Sequence, residues 1–284
     1  MKYKLFLSLA LFTFLTISAQ QLENTTLWKI TGNGLEKPSY LFGTIHLTCD
    51  ASFDDAINIA LDETTQIVLE IDMDDPALQQ KMMGDMFMKD GKTLKDFISE
   101  EDYTMLDVFF KKHVGMSIEN MQNMKPFFLS TMLYPKMLDC PMQSYELELV
   151  KIAKQQQEEV KGLETIEDQL EVFDKIPYEE QIKDLLKTAK DDLKYDKANF
   201  AKMLEVYGDE DISKLLKMIV EDKNYSFGKY QDIFLNQRNK NWISKIESYS
   251  KDQSTFFAVG AGHLAGEEGV INLLRASGFT VTAL

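Results

Sequence analysis

The chain has 284 residues, of which 46 are acidic and 31 are Lys or Arg, so its formal net charge is −15. A charge of this sign repels phosphate backbones and anionic lipid headgroups, which excludes nucleic acid and anionic membrane surfaces as expected partners. The length suits one large domain or two closely packed lobes. Oligomeric state does not follow from any of these quantities.

The N-terminus has the pattern of a targeting segment. Lys2 and Lys4 precede an uncharged, largely apolar run over residues 5–17, and Ser18-Ala19 offers a small-residue cleavage site. The run is too short to span a bilayer comfortably, and no later stretch is apolar enough. We therefore expect a signal peptide over residues 1–19 and a mature chain that is exported, periplasmic or secreted, and not inserted in a membrane. Loss of two lysines takes its charge from −15 to −17. An uncleaved anchor is the alternative.

The first elements of the mature chain predict a β-hairpin. Residues 27–31 alternate in polarity, the Gly32-Asn33-Gly34 run is a turn signal, and residues 39–43 form the second strand. The run from Ser52 to Asp55 resembles a capping box and predicts a helix that ends near Glu63. A β-branched run over residues 66–71 then predicts a buried strand.

The middle of the chain is predicted to be helical, with apolar residues at spacings of three and four over residues 76–157 and 167–250. A short strand over residues 160–164 separates these stretches. Residues 255–259 predict another strand, followed by a helix from Glu267 to Ala276 and a last strand over residues 279–284. The fold class is therefore α/β (α+β): a central mixed sheet from the N- and C-terminal segments, with a large helical insertion, in one domain over residues 20–284.

A Gly-x-x-His pattern occurs twice, once near each end of the chain. The copies are Gly43-Thr44-Ile45-His46 and Gly260-Ala261-Gly262-His263, each following an apolar strand, and the chain has three histidines in all. Gly43 and Gly260 allow a tight turn or a close approach of the backbone. The two imidazoles would meet if their strands are neighbours, as a metal or acid–base site requires. Alternatively, each His only bonds to a neighbouring carbonyl group.

Two glutamates share the same setting. Glu70 and Glu164 each lie in or at the end of a short apolar strand, where a carboxylate must be paired, protonated or metal-bound. Two His and one Glu are a recurring ligand set for a catalytic metal, and a second carboxylate can accept a proton from metal-bound water. The alternatives are a buried salt bridge for Glu70 and an N-cap-like role for Glu164.

Three other basic side chains stand out in the sequence. Arg238 lies on a predicted long helix, where a guanidinium could contact a carboxylate or a developing oxyanion, or could form a structural salt bridge. Arg275 is placed near the end of the last helix, where a cation is favourable. His113 follows a helical run and is expected at the surface.

The chain contains two cysteines, Cys49 and Cys140. In an exported protein an even count predicts one disulfide. The alternative is that Cys49, three residues after His46, serves as a soft metal ligand.

These motifs, in this order, resemble the TraB/PrgY/GumN family, whose wider group includes the Tiki metalloproteases. The resemblance rests on the two Gly-x-x-His copies, the Glu70 strand, the Gly162-Leu163-Glu164-Thr165 run with Glu167 and Gln169, and Arg238-Asn239. It implies a fold like that of the erythromycin esterase and ChaN-like proteins, with a central sheet and surrounding helices. It also implies a divalent-metal site. The animal members are membrane-anchored, so neither their topology nor their substrate transfers to this chain.

We therefore expect an exported divalent-metal-dependent hydrolase, a peptidase acting on peptide or protein substrates. His46, His263 and Glu70 would hold Mn, Co or Zn. Glu70 or Glu164 would handle protons, and Arg238 would stabilise the oxyanion. The alternative is a non-catalytic protein that binds a metal, a haem-like ligand or a peptide in the same cleft.

Overall fold

A computed structural model describes residues 22–284; the predicted signal peptide lies outside them. The described chain contains one mixed sheet with the strand order β4-β3-β5-β2-β1-β6. Helices pack around this sheet, which confirms the predicted α/β fold class. The strands are β1 Leu27–Gly32, β2 Ser39–Thr44, β3 Gln66–Ile71, β4 Glu159–Glu164, β5 Thr255–Gly260 and β6 Phe279–Ala283.

The α-helices of the described residues are α1 Asp55–Asp62, α2 Leu78–Gly84, α3 Glu100–His113, α4 Pro126–Thr131, α5 Tyr145–Gln156, α6 Ile166–Asp174, α7 Tyr178–Lys190, α8 Lys194–Gly208, α9 Ile212–Val220, α10 Gln237–Asp252 and α11 Val270–Ala276. α11 begins three residues later than predicted, because Gly266 turns the chain with a φ of +91° and Gly269 is the N-cap. No helix among the described residues has the length and apolarity needed to cross a membrane.

Four neighbouring strands run parallel and end at the same edge of the sheet. β5 pairs in parallel with β2 on one side and with β3 on the other, and β3 pairs in parallel with β4. Thr44 lies opposite Gly260, so the two Gly-x-x-His copies are neighbours in space. Glu70 and Glu164 come from β3 and β4 at this edge, which we call the site edge. Parallel pairs need crossover connections, and the long helical stretches supply those from β3 to β4 and from β4 to β5.

The sheet is apolar on both faces. Successive residues of a strand point to opposite sides, so Leu41 and Phe257 join the core that contains Trp242 of α10. Their neighbours Phe42 and Phe256 join the core that contains Leu149 of α5. α5 and α10 therefore lie on opposite faces of the sheet.

The predicted disulfide joins Cys49 to Cys140, which are 91 positions apart in sequence and have Cα atoms 5.7 Å apart. Cys49 lies in the loop after β2, and Cys140 lies in the segment before α5. Because its thiol is used in the bridge, Cys49 is not available as a metal ligand in this structure.

Removal of the bridge should lower stability substantially. The double variant C49A/C140A frees the unfolded chain from a long closed loop, which costs about 4–5 kcal/mol in the chain-entropy model. Urea denaturation of the oxidised wild type and of the variant measures the difference, after intact-mass analysis has shown that the wild type has no free thiol. Equal midpoints and slopes for the two proteins would contradict the expectation.

Candidate active site

Arg238, in the first turn of α10, is the centre of the polar cluster at the site edge. Its Nη2 donates to Glu70 Oε2 at 2.6 Å and to Glu164 Oε1 at 2.5 Å. Its Nη1 lies 3.1 Å from His263 Nε2. The side chains of Arg238, Glu70 and Glu164 are only 9–13% exposed. The guanidinium thus joins four of the predicted site residues, itself included, in one buried network.

Glu70 is held by donors from three elements. Besides Arg238, its Oε2 accepts from Gln169 Nε2 at 2.9 Å, and its Oε1 accepts from the backbone N–H of Gly260 at 2.8 Å. Burial raises the pKa of Glu70, but the charge of Arg238 and the Gly260 hydrogen bond more than offset it and hold the pKa well below its usual range. Glu70 is therefore an anion with its Oε1 directed at the end of β5.

Glu164 is hydrogen-bonded to two side chains of α10, those of Arg238 and Trp242. Both of its oxygens accept from Arg238 Nε, at 3.0 and 3.2 Å, and Oε2 also accepts from Trp242 Nε1 at 3.1 Å. The N-cap of α6 is Thr165, which forms a capping box with Asp168. Glu164 thus anchors Arg238 and does not cap the helix that follows it.

His263 is buried and fixed in one tautomer. Its Nδ1 lies 2.6 Å from Asn239 Oδ1, which can only accept, so the proton is on Nδ1 and the lone pair is on Nε2. The amide group is itself oriented, because Asn239 Nδ2 donates to the carbonyl oxygens of His263 and Glu268. Burial, and then the charge of Arg238, lower the pKa of His263 to about 3 against the opposing effect of Glu70. The ring is neutral, as a metal ligand must be.

His46 has the opposite environment. Its ring is 68% exposed, and its Nδ1 lies 3.0 Å from Glu146 Oε1. Neighbouring protein atoms desolvate the ring and lower its pKa, yet the Glu146 hydrogen bond and the charge of Glu70 raise it to about 9. Desolvation counts for less at a ring this exposed, so the upward direction follows from the carboxylates. Glu146 also accepts from Thr44 Oγ1 at 2.8 Å.

Glu146 and Asn239 are supporting residues that the local sequence does not predict. Asn239 directly follows Arg238 and could have been suspected from that position. Glu146 lies 100 residues from His46 in sequence, in the first turn of an ordinary amphipathic helix, and nothing in its local pattern points to the site.

The two histidines and Glu70 meet at Gly260. A Cβ placed on this glycine would lie 3.3 Å from Glu70 Oε1, 3.6 Å from His46 Nε2 and 3.7 Å from His263 Cδ2. Glu70 Oε1 is 3.8 Å from His263 Nε2. Two imidazole nitrogens and a carboxylate oxygen are a donor set that suits a divalent cation. However, Arg238 Nη1 lies against one of these nitrogens. Across residues 22–284 no three or more His, Cys, Asp or Glu side chains form a metal-binding group. The predicted ligand set therefore stays a prediction.

The remaining candidates lie outside this network. His113 ends α3, and its Nε2 contacts Asp192 Oδ1 at 2.6 Å. Arg275, in the last turn of α11, donates to the carbonyl oxygen of Val281 and lies over the ring of Trp28. Both side chains therefore have structural partners of their own.

The sequence model of the TraB/PrgY/gumN family matches residues 26–283. The chain belongs to this family. Comparison with curated proteins and with solved structures finds no significant match. Family membership therefore rests on the whole chain from β1 to β6, whereas the chemical roles of the site residues rest on the geometry alone.

The pKa values of the two site histidines should differ widely. NMR of the histidine rings should show His46 still protonated at pH 8, since its pKa is raised to about 9. The His263 ring should stay neutral at pH 5, since its pKa is lowered to about 3. The H46A and H113A variants assign the signals. Similar midpoints for the two rings, close to the ordinary value of 6.5, would contradict the described hydrogen bonds.

The same shifts give the sign of the pH dependence of stability. His46 is raised above its ordinary value of 6.5, so its contribution is complete below about pH 6.5 and is lost as pH rises through about 9. His263 is lowered, so the unfolded state gains a proton first, and this residue destabilises the fold as pH falls from about 6.5 towards 3. Unfolding midpoints measured at pH 4, 7 and 9.5 test both directions.

Gly43 should not tolerate a side chain. An added Cβ would lie 2.6 Å from Leu264 Cδ1 and 3.1 Å from Ala261 Cβ, where the two motifs pack on each other. We expect G43A to lose about 1–3 kcal/mol of stability, the usual cost of overpacking. G84A is the control, because nothing lies within 4 Å of that position. An equal or higher melting temperature for G43A would refute the proposed close packing.

Proposed function

We propose that this protein is an exported, divalent-metal-dependent hydrolase that cleaves peptide bonds. The observation that carries the proposal is the meeting of two imidazoles with Glu70 around Gly260, at the site edge. Each of these imidazoles is hydrogen-bonded through Nδ1 to an oxygen acceptor, as metal-binding histidines commonly are. Functional groups of α/β sheets commonly lie at the carboxyl ends of parallel strands.

His46 Nε2, His263 Nε2 and Glu70 Oε1 would hold the cation. The bound ion would polarise a carbonyl group and lower the pKa of a water molecule towards neutrality. Arg238 would have to withdraw its Nη1 from His263 while keeping its bonds to the two glutamates. The two carboxylates around one guanidinium leave an excess negative charge there, which favours a cation. His46 would have to lose its Nε2 proton, so we expect cation binding to weaken as pH falls.

Glu164 and Arg238 would orient the other groups of the site and stabilise the charge that develops during the reaction. Glu164 receives three donor groups, from Arg238 and Trp242, so we assign it the role of holding the guanidinium. Arg238 would stabilise the developing oxyanion. Glu70 is the carboxylate that faces both imidazoles, and it would serve either as ligand or as proton acceptor. E70Q separates these roles: a variant that still binds the cation but does not turn over identifies the proton acceptor.

Two further features fit this proposal. The disulfide is typical of an oxidising compartment outside the cytoplasm. The wider group that the sequence resemblance implies includes the Tiki metalloproteases, whose name denotes the same class of chemistry. Both the exported location and the place within the wider group are part of the proposal.

A binding protein without turnover is the second candidate. The observation in its favour is that Arg238 already pairs with both acids and lies on His263 Nε2. A cluster of this kind can be a stable structural unit, because a buried ion pair with all of its hydrogen bonds made does not need a further ligand.

A peptide-cleavage assay distinguishes the candidates. Purified protein should cut members of a peptide library when Mn(II), Co(II) or Zn(II) is added. H46A should lose at least about 100-fold in rate, since even supporting residues of metal sites cost 10–100-fold. H113A should keep the wild-type rate, because His113 pairs with Asp192 outside the proposed site. Cleavage that survives both chelation and H46A would sink the proposal, and stoichiometric peptide binding without cleavage would favour the binding protein.

A further inference from the structure

The orientation of the His46 ring depends on one side chain. Among residues 22–284, Glu146 is the single hydrogen-bond and ion-pair partner of this side chain. His263, by contrast, is buried, bonded through both ring nitrogens and packed on Trp242 with centroids 4.5 Å apart. A ring that is 68% exposed keeps rotamer freedom unless a bond removes it.

We propose that Glu146 is a positioning residue that fixes the tautomer and orientation of His46. Its carboxylate accepts from Nδ1, which leaves Nε2 directed at Gly260 and the rest of the site. The inference rests on the function proposed above, because a fixed Nε2 matters most if it binds a cation. A free neutral imidazole prefers its proton on Nε2, so the partner at Nδ1 decides which nitrogen is open.

The carboxylate of Glu146 is itself fixed. Its Oε1 accepts from Thr44 Oγ1 at 2.8 Å as well as from His46, and its Oε2 accepts from Ser144 Oγ at 2.6 Å. Thr44 is the last residue of β2, and Ser144 is the N-cap of α5. The position of Glu146 in the first turn of α5 also favours a negative charge on its carboxylate. The carboxylate therefore connects the strand end, the ring and the helix start.

A short clamp keeps these parts together across 100 residues of sequence. The backbone groups of Thr48 and Gln143 bond to each other in both directions, at 3.1 and 2.8 Å. The Gln143 side chain donates to the carbonyl oxygen of Cys49 and accepts from the N–H of Ala51. The Cys49–Cys140 disulfide closes the clamp. The clamp holds the first turn of α5 against the His46 loop.

Two measurements on E146A test the proposal without an activity assay. In wild type, at a pH above the measured end of the His46 titration, nitrogen-15 NMR should show the His46 proton on Nδ1; in E146A it should move to Nε2. Titration with Co(II) at pH 7.5, corrected for the measured His46 pKa of each protein, should show about 10–100-fold weaker binding. E146Q still offers an acceptor oxygen and should restore part of the Nδ1 preference. E148Q is the matched control, because Glu148 lies on the same helix and pairs with Lys151.

The clamp adds an independent measurement. The C49S/C140S variant should show an Nδ1 preference between those of wild type and E146A. The proposal would be overturned if folded E146A keeps the wild-type proton on Nδ1. If E146A does not fold, the same result in both folded E146Q and folded C49S/C140S would overturn it. A tautomer shift in a protein that neither binds Co(II) nor cuts peptides would uphold the positioning role and reject the hydrolase.

Discussion

The buried carboxylates at the ends of two neighbouring strands depend on one cation. Glu70 and Glu164 are each about one-tenth exposed. The free energy cost of burying two neighbouring anions without a compensating charge would be prohibitive. The Arg238 guanidinium lies between them and uses its planar set of donors on both. The same guanidinium reaches His263, so the pairing that makes the acids tolerable also assembles the site. Loss of Arg238 would leave two buried anions without a cationic partner, which is the costly way to break such a network.

The two Gly-x-x-His copies share a local sequence and a place on the sheet, yet their histidines have opposite chemistry. The cause is the environment of each ring. α5 packs on one face and supplies the Glu146 carboxylate, which favours a charged His46. On the other face, burial of His263 and the charge of Arg238 from α10 favour a neutral ring, while the Asn239 amide fixes its tautomer. A carboxylate and an amide accept the same Nδ1 hydrogen bond, but only the carboxylate stabilises an imidazolium.

Support for the site is unequal along the sheet edge. The side chains of His263, Glu70 and Glu164 are only 6–11% exposed. His46 lies in a loop that the disulfide and the Gln143 contacts attach to the rest. The covalent bond adds to the hydrogen bonds that hold this loop.

The sequence by itself determined the parts that depend on local pattern. Period-2 and β-branched runs placed all six strands to within two residues, and strand-end polarity selected Glu70, Glu164 and both motif histidines. The cysteine count, together with the expected export, predicted the Cys49–Cys140 pair. These signals can be read from the sequence alone, because the burial of alternate residues and the cost of a buried charge restrict which residues lie next to them in sequence.

Tertiary structure decided how those parts meet and what supports them. The strand order places β5 between β2 and β3, and only this order brings His46, Glu70 and His263 around Gly260. Glu146 joins the site through a contact across 100 residues, and an acidic residue early in a helix has the same local pattern whether or not it holds a histidine. The protonation states of the two rings were also set by the fold. They depend on how deeply each ring is buried and on which charges lie near it, and both are properties of the packed chain.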